Sequence, residues 1–420
     1  MGERKKGGQQ LPSSERIADG GVDQRRVKVL VLYGGKSGEH EVSLRSAASV
    51  LRELDKQRYE AIPVFITKQG RWHLNSLDGW NPSSTEAPAM TDGPQVFLPP
   101  YSLNSPLNTQ GLIDLEPDSP HPNGQLFDVF RGGADGALAE VDVVFPIMHG
   151  PLYEDGALQG LLELTEIPYV GCAVFANAAG MDKEMTKRLA EDAGVKTAPY
   201  LCVKKREKWQ ERTGTLIARV ARELGFPVFV KPANMGSSVG VHKVKEPHAL
   251  TAALEDAFRY DHKVLIEKAI RGRELELSVL ENPIPGEPPL VSVAGEVIAH
   301  HEFYSYEAKY LDPKGAHTQI PAKLLPSELS ELQETARKVY LAIDGESMMR
   351  VDFFYDEDAK IFYLNEPNTL PGFTSISMYP KMWEASGISY SELLSRLIDL
   401  ALERQKRRAT LCREYQGANA

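Results

Sequence analysis

FVKPANMGSSVG, residues 229–240, is the stretch whose reading decides the fold. A short β-branched run delivers one lysine, Lys231, and a loop rich in glycine and serine follows. Backbone N–H groups in such a loop can converge on phosphate oxygens. Gly236 and Gly240 let the backbone approach a ligand closely, and Lys231 places a compact positive charge beside it. The plainer reading of the same residues is a hairpin with a polar turn. The balance shifts because the chain also holds a second lysine, acidic residues at a strand end and an acidic hairpin, in a workable order.

Working outward, residues 181–193 and 216–224 read as helices before this loop, and 249–260 as a helix after it, followed by a strand at 264–267. Upstream, VKVLVLY (27–33) is a buried-strand pattern that runs into the glycine turn Gly34-Gly35. A helix at 39–54 carries Leu44, Ala47, Ala48, Leu51 and Leu54 at helical spacing. Strands at 61–67 and 141–145 and a helix at 156–164 complete an alternation that implies a parallel sheet with helices on both faces. Ligands on such sheets sit at the carboxyl ends of strands, where both the Gly34-Gly35 turn and Met148-His149-Gly150 fall. Between them, residues 75–125 read as a long irregular excursion. Downstream the chain is strand-rich: 274–280, 291–299, and the pair 348–355 and 360–365, with helices at 328–341 and 390–404.

Composition sets the bounds. A chain of 420 residues implies two or three domains. A formal net charge of −10 argues against a nucleic-acid or membrane-surface partner. Three widely spaced cysteines form neither a metal spacing nor a disulfide framework, which points to the reducing cytoplasm. Residues 1–26 lack the apolar core of a signal peptide and read as a disordered tail. No apolar run approaches the ~20 residues of a membrane span. The basic end, 404–413, reads as a solvated helix tail.

The C-terminal hairpin carries the strongest local logic. Strand period places Arg350 with Asp352 on one face, and Glu366 with Asn368 on one face of the returning strand. Two carboxylates and an amide suit Mg²⁺ held with substrate phosphates. The two faces coincide only for a hairpin loop of odd length, such as residues 356–360. A four-residue loop, or a one-residue slip, sends Glu366 to the other face. Surface charge on a sheet is the plainer alternative. Lys183 begins a helix, where a lysine is ordinarily solvated. Glu267 ends an apolar strand, where an acid can take the hydroxyls or amino group of a nucleotide. Glu39 precedes a helix, where a carboxylate either complements the helix dipole or binds a substrate ammonium. His149 follows a buried strand, as structural histidines also do. Gly35-Lys36-Ser37 is no P-loop, because Leu30 stands where that motif needs its first glycine. No G-x-G-x-x-G follows the first strand, which disfavours a dinucleotide dehydrogenase. Tyr304, Tyr306, Lys309 and Tyr310 crowd a loop at 302–319 that reads as a lid.

These segments together resemble the D-alanine–D-alanine ligases of the ATP-grasp superfamily. The matching stretches are GGKSGEHEVSLRSA, EDGALQG, YVG, MDKEMTKRLAEDAGV, VKPANMGSSVG, LIEKAIRGRELE, YEAKYLD, RVDFFYD and NEPNTLPGFTSIS, in family order across nearly the whole chain. The resemblance implies an α/β, three-domain ATP-grasp architecture, with an N-terminal parallel α/β domain (27–171) on the first-substrate side. A central lid domain (172–266) and a C-terminal domain (267–410) would grip ATP, and 411–420 would be a tail. It further implies that Lys183 and Lys231 bind ATP phosphates, that Glu267, Lys268 and Glu274 meet the adenosine part, and that Asp352, Glu366 and Asn368 hold two Mg²⁺, or Mn²⁺. Glu39 would bind the ammonium of the first D-alanine in a network with Ser237 and Tyr310, with His149 nearby. Arg350 and the Gly372 N–H would stabilise the oxyanion, and Ser377 would meet the second D-alanine. The implied reaction passes through an acyl phosphate, and removal of 304–310 would raise ATP hydrolysis relative to dipeptide formation. A homodimer in the cytoplasm, making dipeptide for peptidoglycan, completes the expectation. A ligase for D-lactate or D-serine is the nearest alternative, disfavoured by the YEAKY segment. A regulator without catalysis is disfavoured by the full set of lysine, arginine and metal-site residues. One departure is Tyr153, where the family has glycine before Glu154; a positive φ there would strain it.

Overall fold

The computed structural model describes residues 25–98, 111–114, 137–299 and 316–412. The expected tail lies outside these but for Arg25 and Arg26, and so do Tyr304, Tyr306, Lys309 and Tyr310 of the expected lid.

The first unit follows the strand–helix alternation. β1 (Val27–Gly34) pairs in parallel with β2 (Tyr59–Ile66) on one side and β7 (Val143–Ile147) on the other, while β3 (Trp72–Leu74) closes the edge antiparallel to β2. Because side chains alternate along β1, Val29, Val31 and Tyr33 pack on one face with α1 (His40–Glu53), and Leu30 and Leu32 pack on the other with α2 (Ala157–Thr165). The excursion after β3 is tied down at Asn75, whose amide donates to His73 O and accepts from Met90 N. It leads to a small sheet of β4 (Val96–Phe97), β5 (Gly111–Asp114) and β6 (Ala137–Glu140).

Two helices follow: α4 (Lys183–Asp192) matches the helix expected at 181–193, and α3 (Val174–Met181) precedes it without having been expected. Asp182 separates them: its carboxylate accepts from Glu184 N and Met185 N and starts α4 afresh. The second sheet has the order β10 (His242–Val244), β9 (Val228–Pro232), β11 (Lys263–Lys268), β8 (Tyr200–Lys204). Val228, Val230, Val264 and Ile266 face α5 (Thr213–Glu223) and α6 (Leu250–Ala257) and form a core of their own. Lys231 and Glu267 lie on the opposite face.

The third sheet runs β15 (Ala316–Gln319), β14 (Gly295–Ala299), β12 (Arg273–Leu280), β16 (Met348–Asp356), β17 (Ile361–Asn368), with β13 (Leu290–Val291) paired to β12. Its apolar face, with Leu275, Leu277, Val351 and Phe353, packs on α7 (Pro326–Ala342) and also on α3 and α4. The chain ends with α8 (Met378–Ala385) and α9 (Tyr390–Ala409). α9 returns to the first unit, where Leu393, Leu394 and Leu397 share a core with Val29, Val31 and Phe145. The solvated tail expected from residue 404 is corrected at its start. Arg404 is buried, donates to Tyr169 O at 2.5 Å and Gly171 O at 2.7 Å, and stacks over the Tyr169 ring. Among the described residues, no helix is long and apolar enough to cross a membrane.

Candidate active site

A cleft of about 620 Å³ opens between the second and third sheets, lined by Lys183, Lys231, Ser238, Glu267, Glu274 and Glu366 among others. Lys231 leaves β9 just before the serine-rich turn that the sequence singles out. In that turn Ser237 and Ser238 take positive φ of 49° and 60°. A Cβ on Gly236 would meet only Glu39 Oε2, at 3.9 Å, so the backbone there is open to a ligand. Gly240 has a different reason: a Cβ there would come within 2.6 Å of the Tyr260 ring.

The electrostatics of the cleft centre on Glu267. Lys231 Nζ lies 2.7 Å from one of its oxygens and Lys187 Nζ 3.3 Å from the other. Burial opposes the charge on Glu267, but the two ammonium groups outweigh it and hold the carboxyl at about 2. Burial likewise opposes the charge on Lys231, and Glu267 outweighs it, so that lysine stays above the ordinary range. For Lys187, fully inside, burial wins and the ammonium is pulled down. Lys183, the first residue of α4, donates to Met235 O at 2.6 Å and lies 3.4 Å from Glu366. Lys268 is exposed at the cleft's rim and Glu274 lines its wall.

The floor is the polar face of the third sheet. Asp352 stands directly opposite Glu366, and Arg350 opposite Asn368. The expected odd loop is corrected: Asp356 pairs with Ile361, leaving the four residues 357–360. That loop alone would send Glu366 to the apolar face. A bulge at Asn365, between the Phe353–Leu364 and Asp352–Glu366 pairs, shifts the register by one and brings Glu366 back. Asn365 uses its place in the bulge, since its Oδ1 accepts from Lys231 at 3.4 Å. β17 is the last strand of its sheet, which is where Pro367, without an N–H, is tolerated. Arg350 binds both Asp352 oxygens at 2.7 Å, and Asn368 Nδ2 donates to Asp352 Oδ2 at 3.1 Å. Two carboxylates and an amide on one face, already neighboured by Arg350 and Lys183, are hard oxygen donors that attract cations, and they fit a divalent ion.

The first unit closes the site from the side. Glu39 does not cap α1 with its side chain but accepts from Ser237 Oγ, joining the Gly34-Gly35 loop to the serine turn. His149 donates from Nδ1 to Leu370 O at 3.2 Å and lies 3.7 Å from Glu154. Burial works against the imidazolium, yet Glu154 outweighs it and His149 is held above the usual histidine value. His149 Nε2 is buried with no hydrogen-bond partner among the described residues. The positive φ falls on Leu152, at 76°, and not on Tyr153, so the tyrosine is unstrained. Its ring lies over Gly35 and its hydroxyl accepts from Lys36 N at 2.7 Å. Gly372 and Ser377 face each other, a Cβ on Gly372 falling 2.9 Å from Ser377 Oγ, and neither lines the cleft. Tyr310 lies outside the described residues.

Sequence reasoning missed Lys187, Asn365 and Glu276. Lys187 and Glu276 had signals, since Lys187 is one helical turn after Lys183 and Glu276 one strand period after Glu274. The bulge at Asn365 had none in local composition.

Two sheets closing on a lysine-lined cleft, above an oxygen-rich hairpin, define the ATP-grasp class. The chain belongs to the D-alanine–D-alanine ligase family: models for the N-terminus and C-terminus of D-ala D-ala ligase match residues 28–172 and 189–399. It is 50% identical to D-alanine–D-alanine ligase A of Bradyrhizobium diazoefficiens over 393 residues, 93% of this chain and 99% of the relative. It is 44% identical to a D-alanine–D-alanine ligase of Legionella pneumophila strain Corby over 93% of this chain and 99% of that one. Among solved structures, it resembles the D-alanine–D-alanine ligase of Coxiella burnetii (TM-score 0.71, 31% identity, 91% of this chain and 96% of that one). It also resembles the VanG D-Ala:D-Ser ligase of Enterococcus faecalis (TM-score 0.72, 31% identity, 90% of this chain and all of that one).

Proposed function

We propose that this enzyme joins two molecules of D-alanine into D-alanyl-D-alanine at the expense of ATP, for peptidoglycan synthesis. The observation that supports the reading is the meeting, around one cleft, of Lys183, Lys231, Glu267 and Glu366, with Asp352 and Asn368 beside Glu366 on the same sheet face. Lys183 and Lys231 take the ATP phosphates, leaving Glu366 and Glu267 as ATP enters. Glu267, Lys268 and Glu274 border the adenosine part. Glu39, with Ser237 and Tyr310, holds the ammonium of the first D-alanine, and the unpartnered Nε2 of His149 faces the same substrate. Its carboxylate oxygen attacks the γ-phosphorus, ADP leaves, and an acyl phosphate results. The amine of the second D-alanine, positioned by Ser377, then attacks the acyl carbon and loses a proton as phosphate departs. Arg350 and the Gly372 N–H would stabilise the oxyanion between these steps. Asp352, Glu366 and Asn368 would hold two Mg²⁺ or Mn²⁺, which neutralise phosphate charge when bound. The tyrosine-bearing loop excludes water from the acyl phosphate.

We place the enzyme in the cytoplasm, as a homodimer. The site assignment is tested by ADP release with Mg²⁺ and D-alanine. Asp352→Ala and Lys231→Ala should each abolish turnover while the folded far-UV spectrum remains. Full turnover in either variant would remove that residue from the site.

A further inference from the structure

Glu276 has no part in the scheme above, yet it faces the same chemistry. β12 sets it directly opposite Asp352, as β17 sets Glu366 opposite Asp352 from the other side. Three carboxylates therefore lie in one row across β12, β16 and β17, with Arg350 two residues along the central strand. The guanidinium is shared within that row. Its Nε and Nη2 each lie 2.7 Å from an Asp352 oxygen, and Nε also lies 3.1 Å from Glu276 Oε2. Glu276 is only 6% exposed, and burying a carboxylate is costly unless a cation repays it.

The row contains a conflict. Asp352 is asked to hold Arg350 and also, with Glu366 and Asn368 from the β17 side, to hold a divalent ion. A carboxylate that turns to a dication loosens its hold on a neighbouring guanidinium, and the two cations repel. Arg350 would then lose its fixed position just when a developing oxyanion needs it. We propose that Glu276 is a positioning residue: it anchors Arg350 from the β12 side and so frees Asp352 for the metal. This rests on the roles given above to Arg350 and Asp352.

Glu276→Gln keeps the shape and removes the charge. In the full-length enzyme with ADP, Mn²⁺ binding is followed by the electron paramagnetic resonance signal of free Mn²⁺, without turnover. The anchor predicts an Mn²⁺ dissociation constant raised at least fivefold, because Arg350 now leans on Asp352 alone. It also predicts kcat lowered tenfold or more, KM for the first D-alanine within twofold, and partial rescue of both effects in Glu276→Asp. Wild-type Mn²⁺ affinity and kcat, with or without a lowered melting temperature, would overturn it and leave Glu276 a structural residue. Should the Gln variant fail to fold, Glu276→Asp decides: unchanged Mn²⁺ affinity and kcat there overturn the anchor. Arg350→Lys separates the layers. If it is inactive while Glu276→Gln behaves as wild type, the anchor alone fails. If Arg350→Lys keeps full kcat, the role given to Arg350 fails, and the anchor with it.

Discussion

Glu267 is the residue on which the charge balance of the cleft turns. It is buried between Lys231 and Lys187, and breaking a buried pair leaves an uncompensated charge worth about 3–5 kcal/mol. Lys187→Met should therefore destabilise the enzyme by about that amount in urea unfolding at pH 7; a change under ~1 kcal/mol would mean Lys231 alone suffices. The pH dependence has a fixed sign. The Glu267 carboxyl is held at about 2, below its ordinary 4.5, so its stabilisation is whole above pH 4.5 and fades as the pH falls towards 2. The melting temperature of Glu267→Gln, below wild type at pH 7, should close on wild type as the pH falls through that window. A gap that stays constant would contradict the assignment. Arg350 offers a kinetic counterpart. Lysine lacks the planar fork that binds both Asp352 oxygens, and Arg350→Lys should lower kcat about 10²–10³-fold with little change in KM. Steady-state kinetics check this, and a loss confined to KM would place Arg350 in substrate binding instead.

At the scale of elements, the site depends on how loops and strands are pinned. The loop carrying Glu39 is held by Tyr153, whose ring covers Gly35, itself at φ +100°, and whose hydroxyl accepts from Lys36 N. Gly35→Ala would push a Cβ to 2.7 Å from that ring at a φ that only glycine adopts easily. It should cost about 1–3 kcal/mol and raise KM for the first D-alanine, whereas Tyr153→Phe should cost about 1 kcal/mol. Chemical denaturation and kinetics on both variants test the pin; equal, negligible effects would remove it. The hairpin shows what was legible in the sequence and what was not. Period two placed Arg350 with Asp352 and Glu366 with Asn368 correctly, because alternation is a local property. Loop length and register are not local. A four-residue loop and a one-residue bulge offset each other, and the bulged Asn365 meets a residue of another sheet, Lys231. Arg404 was misread for the same kind of reason. A basic residue near a basic helix end looks solvated until the carbonyls of Tyr169 and Gly171 are brought to it from far along the chain.

In the whole molecule, the cores divide unevenly. Residues of the first sheet, the start of β16 and the helices α8 and α9 share one apolar cluster. α3 and α4 precede the second sheet in sequence but pack on the third. The second sheet keeps a core to itself and meets its neighbours through polar contacts, as at Ser237 with Glu39 and Lys263 with Asp182 and Glu184. Such a unit is the one free to shift when the cleft fills. A non-hydrolysable ATP analogue with Mg²⁺ should slow amide exchange in residues 228–244 and leave β1 unchanged; uniform protection would indicate a single rigid body instead. The central claim, ligation of D-alanine to D-alanine, is tested most directly by mass identification of the product. The enzyme would be given ATP, Mg²⁺ and D-alanine alone, and then D-alanine with an equal amount of D-serine or D-lactate. The account predicts D-alanyl-D-alanine as the product of the first reaction and the main product of the others. Turnover that requires D-serine or D-lactate, with no dipeptide from D-alanine alone, would contradict it.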